Sequence, residues 1–180
     1  MRREGGRKLT SGLCRLRGVA LSRREWALLL TLMSVTFLCR IPFRAHIPYG
    51  LDSIQFVLGA EHFDVRLHQP HPPGYFLFVM AGRLTNFVLE DPNRSFVALN
   101  VVFSSLCVWV VFRLGVELFG LESGFVSAVL LATSPTFWFH GEVALSNMLD
   151  CLLVSCLALL CWRTLQGQHH LSHLARLGLG

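Results

Sequence analysis

Between strongly apolar segments, the stretch Leu51–Tyr75 carries Asp52, Glu61, His62, Asp64, His68 and His71. Ionisable groups at the edge of a bilayer are costly, and structural roles account for only a few of them. Asp52 has two compatible readings. An aspartate here can cap a short helix. It can also act as a general base or metal ligand at the membrane surface, kept ionised by the helix N-terminus. His68 and His71 are spaced HxxH, which suits a metal only on a helix or a tight loop, and Pro70 excludes the helix. For His71 that leaves a hydrogen bond to substrate or a structural role in the Pro-rich turn. A second polar group, His140, Glu142, Asn147 and Asp150, surrounds the start of the last apolar block. Asn147 and Asp150 lie three apart on one helix face and read as interhelical packing. Glu142 reads as functional, since a carboxylate there must face a cavity or a partner. No phosphate-cradling glycine loop and no nucleophile motif is present.

The elements that must position these groups are helices in a membrane. Hydrophobic residues make up 53% of the 180-residue chain, and the mean hydropathy is +0.52, above what a soluble domain of this size shows. The blocks Trp26–Cys39, Ser95–Phe112, Gly124–Phe139 and Val143–Trp162 are nearly free of charge. A span needs about 17–25 apolar residues, and the first block approaches this if Arg40 snorkels. Only helices satisfy their own backbone in lipid. The expected fold is therefore all-α, an integral membrane helical bundle of about four spans, with amphipathic surface or re-entrant helices in the first outer loop.

Residues 1–24 hold eight of the sixteen Lys and Arg residues. This run stops where the apolar block begins. It reads as a basic cytoplasmic tail under the positive-inside rule, before an uncleaved signal anchor, and not as a nucleic-acid-binding arm. Ser22 caps a first span over 25–42 that ends at Pro42. The membrane-embedded region is expected over 25–163, including an outer loop over 43–73. In that loop Asp52 or Ser53 would cap a surface helix running to about Phe63, with Ile54, Val57, Leu58 and Phe63 as its apolar stripe. Pro70, Pro72 and Pro73 then force an extended passage, and a new helix begins near Gly74. Residues 164–180 are expected to be a cytoplasmic tail, and the Leu-Gly-Leu-Gly end suggests an N-terminal piece of a longer protein.

Sidedness turns on Gly74–Leu89. If this segment lies on the surface or re-enters, Arg113, Arg163 and Arg176 stay inside, and the Asp52 loop and His140-Gly141-Glu142 share the outer face. The six cysteines form no CxxC pair and read as small hydrophobes. Phe137, Trp138 and Phe139 read as an interfacial belt, and His169, His170 and His173 as a solvated tail.

Asp52-Ser53, His71-Pro72-Pro73-Gly74-Tyr75, Leu118-Phe119-Gly120 and Gly141-Glu142-Val143-Ala144 resemble the GT-C superfamily of membrane glycosyltransferases. The nearest branch is the bacterial protein O-mannosyltransferase-like and aminoarabinose-transferase-like one, over about residues 26–163. The resemblance implies a polyprenyl-phosphate-linked sugar as donor, an acceptor (glycan, lipid or protein) and a plasma (inner) membrane location with the N-terminus cytoplasmic. Asp52 would be catalytic, either activating the acceptor hydroxyl or holding a divalent metal ion. Glu142, His71 and Tyr75 would bind substrate, with Glu142 a second metal ligand if there is a metal. Apart from any family match, Arg66 or Arg83 would steady the departing phosphate, because a guanidinium fits phosphate oxygens in bidentate fashion. Many members carry two adjacent acids in the first loop, whereas Ser53 follows Asp52 here. The competing class is a non-catalytic membrane protein, either a transporter fragment or an assembly subunit. A transporter would show paired repeats and broken helices at the midplane. The polar residues here gather at one face.

Overall fold

The computed structural model describes residues 21–176, and side chains through Gln166. Most of the basic tail, with Cys14, and the side chains of His169, His170 and His173 lie outside the described residues.

α1 (Arg23–Arg40) starts at a capping box. Ser22 N donates to Glu25 Oε2 at 2.7 Å and Glu25 N to Ser22 Oγ at 3.3 Å, satisfying two orphan donors of the first turn. α2 (Gly50–Glu61) follows, then a 3₁₀ turn, Val65–Leu67, and α3 (Phe76–Leu89). α4 (Pro92–Phe119) is the central helix, in contact with α1, α2, α3, α5 and α7. Asp91 caps it, and Pro92 sits at the start, where its missing N–H costs nothing. α5 (Leu121–Thr133) returns along α4. Their approach is close enough that a Cβ on Gly115 would lie 2.7 Å from the Gly124 Cα, the small-residue contact that lets membrane helices pack backbone to backbone.

The apolar block expected as one span over 124–139 is broken. Ser134-Pro135 ends α5 and starts α6 (Pro135–His140), because proline cannot donate to the preceding turn. The last helix, α7 (Asn147–Arg176), begins later than Val143 and continues as helix past residue 163. Among the described residues two helices are long and apolar enough to cross a membrane, Pro92–Phe119 and Asn147–Gln166. α3 and α5 are shorter apolar helices. α1, with 18 residues, carries Arg23, Arg24, Glu25 and Arg40.

The packing divides into two cores. One joins α1, α4, α5, α6 and α7 around Leu29, Val108, Phe112, Ala128 and Phe137. The other joins α2, α3 and the start of α4 around Phe56, Phe78, Val79 and Phe96. α2 turns a different face inward from the one its apolar residues suggest: Ser53, Phe56, Gly59 and Ala60 are buried, while Ile54 and Leu58 are exposed. In lipid the outward face can be apolar too, so the apolar stripe does not identify the packed one.

Candidate active site

Segment 41–91 leaves and returns at one end of the bundle. Ala45 makes the junction: its N–H donates to the Glu142 carbonyl at 2.8 Å, and its carbonyl accepts from Asn93 Nδ2 at 3.1 Å. The Tyr49 ring meets Phe139 edge-on at 5.0 Å and Phe43 meets Trp138 at 6.2 Å. The N-terminus of α2 therefore stands beside the C-terminus of α6, and Asp52 and Glu142 are carried at the same end.

Asp52 is exposed in the first turn of α2. It does not cap the helix. Tyr49 occupies the cap position without a side-chain bond, so the helix is held by ring contacts and Asp52 is left unengaged by capping. Ser53 points inward, and its Oγ is buried without a partner.

His71 packs on Phe56 at 5.5 Å and on Tyr75 at 5.0 Å, with its Nδ1 buried and unpartnered. The HPPGY element thus clamps its histidine and tyrosine to the buried ring of Phe56, which also meets Phe78 and Phe96. Arg66 is exposed, and its backbone N–H donates to Asp64 Oδ1 at 2.9 Å. Arg83 is committed elsewhere than expected. Its Nε donates to the Ala60 carbonyl at 2.8 Å and its Nη2 to those of Gly59 and Glu61 at 3.3 and 3.4 Å. These are orphan acceptors at the end of α2, which a guanidinium satisfies well. Arg83 anchors the helix that carries Asp52.

Glu142 is half-buried, with Oε1 unpartnered. Burial pushes its carboxyl up, while the Trp138 side chain and the charge of Arg40 pull it down. The segment between α6 and α7 is held open by Asn100, fully buried on α4, whose Nδ2 donates to the carbonyls of Val143 and Leu145 at 2.6 and 2.7 Å. Asn147 and Asp150 are exposed at the start of α7 and do not serve interhelical packing; Asp150 accepts from the Ser146 hydroxyl at 3.5 Å.

Two further residues shape the site without having stood out in the sequence. Asn100 is one; a polar residue in the middle of an apolar block signals such a role. Arg40 is the other. Far from snorkelling, it is 0% exposed and lies under Phe137 and Trp138. Those two rings cover a cation, and of the expected belt Phe139 alone is exposed.

The residues present do not fit a divalent metal. Among the described residues no three His, Cys, Asp or Glu side chains gather to hold one, and the charge acting on Glu142 is the guanidinium of Arg40, which repels a cation. The five described cysteines are free.

No curated protein and no solved structure matches the chain. The sequence model of the dolichyl-phosphate-mannose-protein mannosyltransferase family matches residues 70–175, which takes in His71, Tyr75, Arg83 and Glu142 and leaves Asp52 and Arg66 before it. That match spans more than half of the chain, and with the all-helical membrane fold it assigns the protein to the GT-C glycosyltransferases: the chain belongs to the dolichyl-phosphate-mannose-protein mannosyltransferase family.

Proposed function

We propose that this chain bears the site of a glycosyltransferase that moves a sugar from a polyprenyl-phosphate donor to an acceptor hydroxyl at the outer membrane face. Asp52 takes the proton of the acceptor hydroxyl. The hydroxyl oxygen then bonds to the anomeric carbon, and the bond from that carbon to the phosphate oxygen breaks, releasing the lipid phosphate. His71, Tyr75 and Glu142 hold the substrates. Arg66, exposed on the same loop, is the guanidinium available to the departing phosphate, since Arg83 is occupied. The family's description points to mannose on dolichyl phosphate as donor and a protein as acceptor. The membrane is the plasma membrane, with the N-terminus cytoplasmic.

The observation that carries the reading is an exposed, uncapping Asp52 at the end of the bundle where Ala45 ties its loop to Glu142. Segment 41–91 starts and finishes at that end, which supports a surface or re-entrant α3 and a shared outer face. The test is Asp52→Asn in the full protein in membranes, following transfer of labelled mannose from dolichyl-phosphate mannose. Loss of a positioned general base costs about 10²–10⁴ in rate. Melting should not change, because the side chain is exposed. An unaltered rate removes Asp52 from the mechanism.

A further inference from the structure

Arg40 ends α1 inside the protein. Nη1 donates to the Thr36 carbonyl at 3.1 Å, whereas Nε and Nη2 are buried and have no hydrogen-bond partner. The Phe137 and Trp138 rings stand 5.3 and 5.0 Å from the guanidinium carbon. Their π faces attract a cation, but they replace only part of the hydration it has lost. On the remaining side lies Gly141, where a Cβ would fall 2.5 Å from Nε. Glu142 comes next in the chain, and its Oε1 is also buried and unpartnered. Two residues of opposite charge, each with buried unpartnered polar atoms, thus meet the same glycine: Arg40 packs on Gly141 and Glu142 follows it in the chain, without a direct ion pair between them.

Other charged groups near this junction are turned away. Arg44 on loop 41–49 donates to the Ile41 carbonyl, and the His140 ring faces the Thr136 carbonyl. Asp150 on α7 is paired with Ser146. His46 and Asp52 are exposed, and α4 presents the neutral Asn93 and Asn100. Arg40 is the charge that acts on Glu142.

We propose that Arg40 is a positioning residue for Glu142. Its guanidinium is the fixed countercharge that holds the Glu142 carboxylate at the site end of the bundle, and the missing side chain of Gly141 leaves the space that the Arg40 side chain occupies beside it. This inference rests on Glu142 belonging to the transfer site.

Two measurements on the full protein decide it, one of them independent of activity. In a melting-temperature cycle in detergent, Arg40→Met is made with Glu142 present and again in the Glu142→Gln background. With Glu142 present, Arg40→Met strands a buried carboxylate; in the Glu142→Gln background it strands none. The fall in melting temperature should therefore be larger with Glu142 present. Equal falls overturn the proposal. In the transfer assay, Arg40→Met should lower the saturated rate about tenfold or more, Arg40→Lys should restore most of it, and Arg40→Met should cost nothing further in Glu142→Gln. Full additivity, or no rescue by lysine, also overturns it. If the wild-type protein transfers no sugar, the proposed function fails by itself, and the melting cycle still decides the Arg40–Glu142 pair.

Discussion

Arg163 reaches across from α7 to grip Glu117 on α4, Nη2 to Oε1 at 2.6 Å and Nε to Oε2 at 3.2 Å. This pair closes the bundle at the end opposite Glu142. Arg113 donates to the same carboxylate at 3.1 Å, so one acid serves two guanidinium groups. Glu117 is 8% exposed, but Arg163 is 47% exposed. Glu117→Gln is therefore expected to cost roughly 1–3 kcal/mol, below the loss for a fully buried pair. Melting of the purified protein reads it. Arg163→Met should cost less than Glu117→Gln, because it leaves the Arg113 bond in place; the reverse order would show that Arg163 carries the cluster.

Asn100 predicts a different kind of loss. Asn100→Ala leaves the buried carbonyls of Val143 and Leu145 without donors, at about 1–3 kcal/mol for each unsatisfied group. Because that segment also carries Glu142, transfer should fall along with stability. A variant that melts lower but transfers at the full rate would separate the segment from the site.

Gly82 on α3 faces the ring of Phe96 on α4, and a Cβ there would overlap ring atoms. Gly82→Ala should force the ring to move, at about 1–3 kcal/mol for overpacking. Phe96→Leu, destabilising alone, should recover part of that loss in the double variant. Simple additivity of the two would mean that α3 shifts away and the ring stays in place.

The acid–base behaviour of Glu142 has a definite sign. Burial raises its carboxyl above the ordinary glutamate range, so the native protein holds this proton more tightly than the unfolded chain. Its contribution to stability is complete below the ordinary value. It is lost as pH climbs through the raised native value, and is level beyond it. Melting followed across the mildly acidic range should show that decline in the wild type and not in Glu142→Gln. Parallel curves would assign the titration to another group.

Helix identity was readable because apolar blocks and their stops are local properties. Ser22, Pro42 and Gly74 mark boundaries close to those of α1 and α3. Orientation was not readable. An arginine at the end of a span looks the same in sequence whether it reaches for water or folds back under aromatic rings, and only the tertiary contacts of Arg40 decide between these. The α2 stripe misled because Ile54 and Leu58 are apolar without being packed. Arg83 suited a phosphate by type, yet the carbonyls at the end of α2 lie within its reach, and sequence distance hides that proximity.

Ala45 offers no side chain to explain its place, since both of its connections are made by the peptide backbone. A mutational survey that replaces each residue with alanine would skip it, and most other side chains would leave its N–H and C=O intact. Proline is the informative replacement: it deletes the donor to Glu142 and leaves the acceptor for Asn93 in place. The residue with the least chemical character, set between Arg44 and His46, is therefore where the two halves of the site are most easily uncoupled.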